Sequence, residues 1–137
     1  MVVYGLPDPR HGVWRNHVVW DEKALIQKET HPRDAGATEA VSHYRVIEVL
    51  GGASLIEVRL ETGRRNQIRL QARLHGHTLV GEQRYVYGPK TLRPIAFPRH
   101  ALHASRLAFR HPADERALQF EAPLPRDLAD LIARLRR

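Results

Sequence analysis

Arg65, Arg69 and Arg73 stand four residues apart within Arg65–His75 (RNQIRLQARLH). If that stretch is helical, the three guanidinium groups share one face. Such a row of fixed positive charge suits phosphate. Arg64 and Arg65 fall where one segment ends at Gly63 and the next begins. Backbone N–H and guanidinium groups at a strand-to-helix passage either grip a phosphate or are simply solvated. Histidine offers a different chemistry, and His75, His77, His100, His103 and His111 are candidates by type. Their spacing matches no zinc pattern, and the chain has no cysteine and no Glu-x-x-His. No metal and no cofactor is expected.

These side chains need a scaffold to position them. Ala40–Leu50 (AVSHYRVIEVL) and Ser54–Leu60 (SLIEVRL) both alternate and flank Gly51-Gly52, which predicts a β-hairpin. Val41, His43, Arg45, Ile47 and Val49 fall on one face of its first strand, with Ser42, Tyr44, Val46, Glu48 and Leu50 on the other. Arg65–His75 fits a period of two as well as a helix. Its Gln, Arg, Leu and Ala content and the stop at Gly76 select helix. Before the hairpin, the runs Trp14–Trp20 and Ala24–Ile26 predict short strands joined by turns, in a stretch broken by Pro7, Pro9 and Pro32. His77–Tyr87 reads as a short strand-and-turn region, and Gly88–Arg99 as a loop. Ala101–Arg110 and Ala117–Glu121 read as strands. Arg126–Arg136 carries Leu128, Leu131, Ile132 and Leu135 as an apolar stripe, with Pro125 at its start and acids early, arginines late, so it closes the chain as a helix. The expected fold class is α+β: a mixed, mostly antiparallel sheet with two helices, in one domain over residues 1–137.

The bulk numbers narrow the partners. The net charge is +7, carried by 19 arginines and only 3 lysines. Residues 59–110 hold eleven basic and two acidic side chains, a net of +9, while the rest of the chain nets −2. Positive charge confined to one block suits a polyanion, or else it is a solvated basic face. Arg73, Arg84 and Arg106 belong to that block and join the candidate polyanion contacts. No run is long enough to span a membrane, the first residues lack a signal-peptide layout, and the absence of cysteine fits a reducing compartment. A cytoplasmic protein is expected. Trp14, Trp20, Phe97 and Phe109 are expected as core or loop anchors rather than base-stacking platforms.

Four segments, in order, carry a resemblance. Thr62-Gly63-Arg64-Arg65-Asn66-Gln67-Ile68-Arg69 resembles the Thr-Gly-Arg-x-His-Gln-Ile-Arg signature of the RluA-type RNA pseudouridine synthases. Gly76-His77-Thr78-Leu79-Val80-Gly81-Glu82 through Tyr85 is similar to that family's Gly-His-Pro-Ile-x-Gly-Asp-x-x-Tyr. Arg99 to Pro112 is similar to its Arg-x-x-Leu-His-Ala-x-x-Leu-x-Phe-x-His-Pro, and Phe120 to Pro125 with the last helix to its closing segment. Val2 to Pro7 resembles its mid-domain Val-x-Gly-x-Pro strand end. The resemblance implies cofactor-free isomerisation of uridine in structured RNA, rRNA or tRNA, with the target base out of its stack. It implies that Arg69 serves a catalytic aspartate by keeping it ionised, and that Leu102 lines the base pocket, although a core strand position accounts for Leu102 equally. It also implies RNA contacts at Arg64, Arg65, Asn66 and Gln67. Asn66 stands where the family has histidine, Thr78 where it has proline and Glu82 where it has aspartate.

The family's aspartate sits in a His-Arg-Leu-Asp motif, and a base-packing tyrosine precedes its Val-x-Gly strand end. Neither pattern occurs in these 137 residues: the aspartates are Asp8, Asp21, Asp34, Asp114, Asp127 and Asp130, and none follows Arg-Leu. The chain is therefore read as the carboxy-terminal portion of the catalytic domain, an incomplete fold in which Arg69 lacks its carboxylate. It is expected to be inactive alone. The alternatives are a non-catalytic RNA-binding module that keeps the basic face, or a partner subunit for a chain that brings the aspartate. Bare strand edges and apolar faces are expected to drive homo-oligomers or strand pairing.

Overall fold

The computed structural model describes residues 1–85 and 94–136. In chain order these form β1 Val2–Tyr4, β2 His11–Asp21, β3 Ile26–Glu29, β4 Thr38–Val49, β5 Ala53–Leu60, α1 Gln67–Leu74, β6 Arg106–Arg110, β7 Ala117–Glu121 and α2 Arg126–Leu135. The expected α+β class holds. A five-stranded antiparallel sheet runs in the order β1-β5-β4-β2-β3, and β6 and β7 make a separate two-stranded ribbon.

Gly52, at φ 70°, turns β4 into β5, a conformation that costs glycine nothing. The hairpin pairs Ser42 with Leu60 and Val46 with Ile56, with a bulge between Val46 and Glu48. Alternation then sorts the sheet's two sides. Val2 points into a cluster with Leu50, Ala53, Val80, Leu128, Leu131 and Ile132, beneath α2. Its neighbour Val3 points the other way, into a cluster with Trp14, Tyr44, Ile56, Ala72 and Leu79, beneath α1. Trp14 stacks on Tyr44 with ring centres 4.8 Å apart and is core, as expected. The sheet is thus sandwiched between the helices only at its β1–β5 end. Along β4, Arg45, Ile47 and Val49 face solvent.

Several sequence expectations need correction. The run Trp14–Trp20 is not a short strand but the middle of an eleven-residue one, because the polar residues around it face out along a sheet with one open side. Ala24 and Leu25 lie in the turn before β3, Leu25 at φ 53°. Ala101–Ser105 is not strand; only Arg106–Arg110 pairs. The helix begins at Gln67 rather than Arg65, because Asn66 adopts a left-handed conformation at φ 55°. Arg65 therefore stands outside the helix, and the single-face row of Arg65, Arg69 and Arg73 does not form. Residues 86–93 of the expected turn and loop lie outside the described residues.

The outer edge of β1 is not bare, contrary to expectation. Tyr4 donates its N–H to the Thr78 carbonyl at 2.9 Å, and Val3 bridges Leu79. Val2 donates to Ala101, Ala101 to Val80, and Val80 back to Val2, at 3.0, 2.8 and 3.0 Å. Three segments far apart in sequence close a ring of backbone hydrogen bonds. The uncovered surface is elsewhere. On the β6–β7 ribbon, Leu107 faces Phe120 and Phe109 faces Leu118, with Phe109 and Phe120 stacked 5.9 Å apart. Leu107, Phe109 and Phe120 are 59%, 43% and 54% exposed. Phe109 is thus no core anchor but part of an open apolar face. An isolated ribbon is marginal in water, so this face needs a cover.

Candidate active site

The bend Thr62–Asn66 is clipped from within by Gln67. Its Oε1 accepts from the Thr62 hydroxyl at 2.7 Å and the Arg64 N–H at 2.9 Å. Its Nε2 donates to the Val41 carbonyl at 3.1 Å and Ser42 Oγ at 2.9 Å. Gln67 is buried and all these bonds are internal, so it fixes the bend rather than touching a ligand directly. One helical turn on, Gln71 does the same for the sheet. Its Nε2 donates to Trp14 O, Ala40 O and Asn16 Oδ1, each at 3.0 Å, and its Oε1 accepts from Ser42. Leu70 and Ala72 bury the same helix against the sheet.

This bracing aims Arg69. Its Nε and Nη2 donate to the two oxygens of Glu82 at 2.7 and 2.6 Å, and Nη1 reaches Asn66 Oδ1 at 3.4 Å. Arg69 thus has a carboxylate partner within this chain, Glu82, distinct from the catalytic aspartate that the resemblance implies. The Glu82 side chain is wholly buried. Burial works against its ionisation, but the Arg69 guanidinium and the N–H groups of Arg84 and Tyr85 outweigh it and hold the carboxyl down at about 2. Glu82 in turn raises Arg69 further above its usual range. The pair is a fixed ionic unit, with Arg69 also 5.1 Å over the Tyr85 ring. The Tyr85 hydroxyl accepts from Asn66 Nδ2 at 3.1 Å and the Gln27 N–H at 3.0 Å, which ties bend, helix and β3 together.

Arg69 lines a cleft of about 230 Å³ with Gly81, Gln83, Arg84, Pro98, Arg99 and His100. Gly81 is required there. It sits at φ 79°, and a Cβ would lie 1.8 Å from the Arg99 carbonyl oxygen. Arg99 holds its wall by a two-pronged pair with Asp127 of α2 at 2.9 and 3.0 Å, and by donating to the carbonyls of His100 and Leu102 at 3.3 and 3.1 Å. His100 is pushed below the usual imidazole range by burial first, then by Arg69, against a smaller opposing pull from Glu82. The cleft thus presents fixed cations and a histidine that favours its neutral form.

Of the residues singled out in the sequence, Arg69 and Arg84 meet in this cleft. Asn66 stands beside it, bonded to Arg69 and Tyr85. Arg64 lies on the bend with Nε bonded to the Glu39 carbonyl at 3.0 Å. Arg65 instead sits over Trp20 on β2, its guanidinium carbon 4.0 Å from the ring centre. Arg73 lies further along α1. Arg106 is on the ribbon, 3.5 Å from Glu121, away from the cleft's lining. Leu102 packs against the Trp14–Tyr44 cluster. The sequence reading assigned no role to Gly81, Glu82, Arg99 or His100. All four lie in the segments that carried the resemblance, and glycine and arginine in those segments were the available signal.

No family model matches the chain. Curated proteins do. It is 40% identical over 136 residues to the uncharacterized RNA pseudouridine synthase YlyB of Bacillus subtilis, covering 99% of this chain and 43% of that protein. It is 39% identical over 142 residues to ribosomal large subunit pseudouridine synthase D of Pseudomonas aeruginosa, covering 96% and 40%. The corresponding Zymomonas mobilis synthase D is 42% identical over 106 residues, covering 74% and 33%. The chain belongs to the RluA-type RNA pseudouridine synthases. It spans less than half the length of these relatives. A solved structure of human RNA pseudouridylate synthase domain containing 4 overlays with a TM-score of 0.74 at 22% identity, over 98% of this chain and 60% of that one. That likeness shows a shared fold. The pseudouridine synthase signature, seen in three dimensions, is a mechanical unit: Thr62 and Gln67 lock the bend, and Arg69 reaches the cleft from it. No helix among the described residues is long and apolar enough to cross a membrane.

Proposed function

We propose that this chain forms the arginine wall of a uridine-isomerising site and the basic surface that holds its RNA, and that it turns over only when other polypeptide supplies an aspartate. The carrying observation is Arg69, held at the cleft by a buried carboxylate. A guanidinium so fixed costs nothing to reposition when an anion arrives. It would keep an incoming aspartate ionised, as the family resemblance implies. Glu82 cannot replace that aspartate: it is buried, both oxygens are engaged, and its place is behind Arg69.

In the reaction the bond from ribose C1′ to uracil N1 breaks, the base turns, and C1′ bonds to C5. The C5 proton leaves to water and N1 gains one, so atoms balance without a cofactor. The chain's own share is to bind and orient: Arg69 sets the charge, Arg84 and Arg64 meet phosphate, and the Arg99–Asp127 pair keeps the opposite wall in place. rRNA or tRNA is the substrate class, and the cytoplasm the setting. The apolar face of the β6–β7 ribbon is where the aspartate-bearing polypeptide docks, or failing that a second copy of this chain.

Tritium release from RNA carrying 5-tritiated uridine tests this. The chain alone should release none. Adding the first half of the Bacillus subtilis relative as a separate chain should restore release, and Arg69→Met should abolish it. Release by the chain alone would overturn the proposal.

A further inference from the structure

Arg64, Arg65 and Arg84 have no carboxylate partner among the described residues, whereas Arg69 and Arg99 are tightly paired. Two of the three, Arg65 and Arg84, reach the end of the β2–β3 hairpin, while Arg64 bonds the Glu39 carbonyl on β4. Arg84 donates to the Ala24 carbonyl in the hairpin turn at 3.3 Å and also lines the cleft. Arg65 lies over Trp20, which pairs with Gln27 across the hairpin. The Gln27 N–H bonds the Tyr85 hydroxyl, which also takes Asn66, the residue after Arg65. The Arg65–Trp20 pair is therefore tied at both ends to Tyr85, whose ring lies 5.1 Å from the guanidinium of Arg69, a residue of the cleft.

We infer that Arg65, seated on Trp20, is a platform for an unpaired RNA nucleobase flanking the one in the cleft. The half-buried indole holds one side of the guanidinium, and Arg65 is exposed on the other. A guanidinium plane stacks on any base, and its N–H edge remains free for the adjoining phosphate. As a fold contact alone the pair contributes little, because exposed cation–π contacts are weak. What it fixes is the direction of an arginine whose side chain would otherwise sweep solvent. Trp20 is thus a positioning residue and Arg65 the contact. The sequence expectation for Trp20, an anchor and not a stacking platform, fits this division, since the base meets arginine.

The inference rests on the RNA reading above, and fluorescence anisotropy separates the two. The probes are a fluorescein-labelled unstructured RNA of about ten nucleotides and the same RNA with internal abasic sites. Trp20→Ala should weaken binding of the intact RNA about tenfold and leave the salt slope unchanged, because no charge is lost. Trp20→Phe should stay within about twofold, retaining an aromatic face. Arg65→Ala should weaken binding and reduce the slope by about 0.7. The double variant should be no weaker than Arg65→Ala, since Trp20 acts through Arg65. On abasic RNA the Trp20→Ala effect should vanish. Unchanged affinity of Trp20→Ala for intact RNA, an equal loss on abasic RNA, or additive losses in the double variant each overturn the inference alone. Arg65 is exposed, so its variant folds whatever happens to Trp20. No binding by the wild-type chain sinks the RNA reading and this inference together.

Discussion

Replacing Glu82 by glutamine tests the ionic unit behind the cleft. In the folded chain the carboxyl is held at about 2, against an ordinary 4.5. At 1.36 kcal/mol per pKa unit, that depression corresponds to about 3 kcal/mol of stability at neutral pH. The side chain is wholly buried, so solvent does not dilute the figure. The sign follows from the direction of the shift. A depressed folded value means that the contribution is complete above about pH 4.5 and disappears as pH falls toward 2. Urea denaturation, followed by tryptophan fluorescence at a series of pH values, reads it. Glu82→Gln should be less stable than wild type by about 3 kcal/mol at pH 7, and the two should converge in acid. Arg69→Met should cost at least as much, because it leaves a buried carboxylate without its counter-charge. Combining the two changes should recover part of the loss. A domain of this size has about 5–15 kcal/mol in all, so the effect is readable. A gap under about 1 kcal/mol at pH 7, or one that persists undiminished at pH 2, would refute the reasoning.

Gly81→Ala drives a methyl group into the Arg99 carbonyl and forces alanine to φ 79°; it should cost at least about 2 kcal/mol and lower the thermal midpoint accordingly. Gln71→Leu takes a donor from the Trp14 and Ala40 carbonyls and from Asn16, which keeps His75 and Glu29, and an acceptor from Ser42, which keeps Gln67, and should lose about 2 kcal/mol in the same denaturation assay. If a second copy covers the ribbon, Leu107→Ser with Phe120→Ser should convert an associating chain to a monomer in sedimentation at about tens of micromolar, and a wild-type chain already monomeric there removes the second copy as the ribbon's partner.

The elements whose signals are local were legible. The hairpin about Gly51-Gly52 and the helix after Pro125 follow from alternation and an apolar stripe. The signature was legible as a motif, but its mechanics were not. Gln67 reads as a polar residue near arginines, and only the fold shows that Thr62 and Ser42 await it indoors. Arg65 reads as the first residue of an arginine row, and one left-handed residue, Asn66, removes it from the helix. The Arg69–Glu82 pair links positions thirteen apart, beyond any helical spacing, so no periodicity announces it. The ribbon reads as two strands, and its alternation hints at one apolar face; which partner covers that face is long-range information that these residues do not encode.

The ring of bonds among Val2, Val80 and Ala101 bears on the order of assembly. It cannot close until the second and the hundred-and-first residues meet, which sets a large loop-closure entropy against a few backbone bonds. Both cleft walls, at Gly81 and at Arg99, abut that ring. The hairpin and the helices can therefore organise early from neighbouring residues while the walls come together last. The amide hydrogens of Val2, Val80 and Ala101 should exchange with solvent only when the whole domain opens, and their protection in refolding pulse-labelling should trail that of β4 and β5.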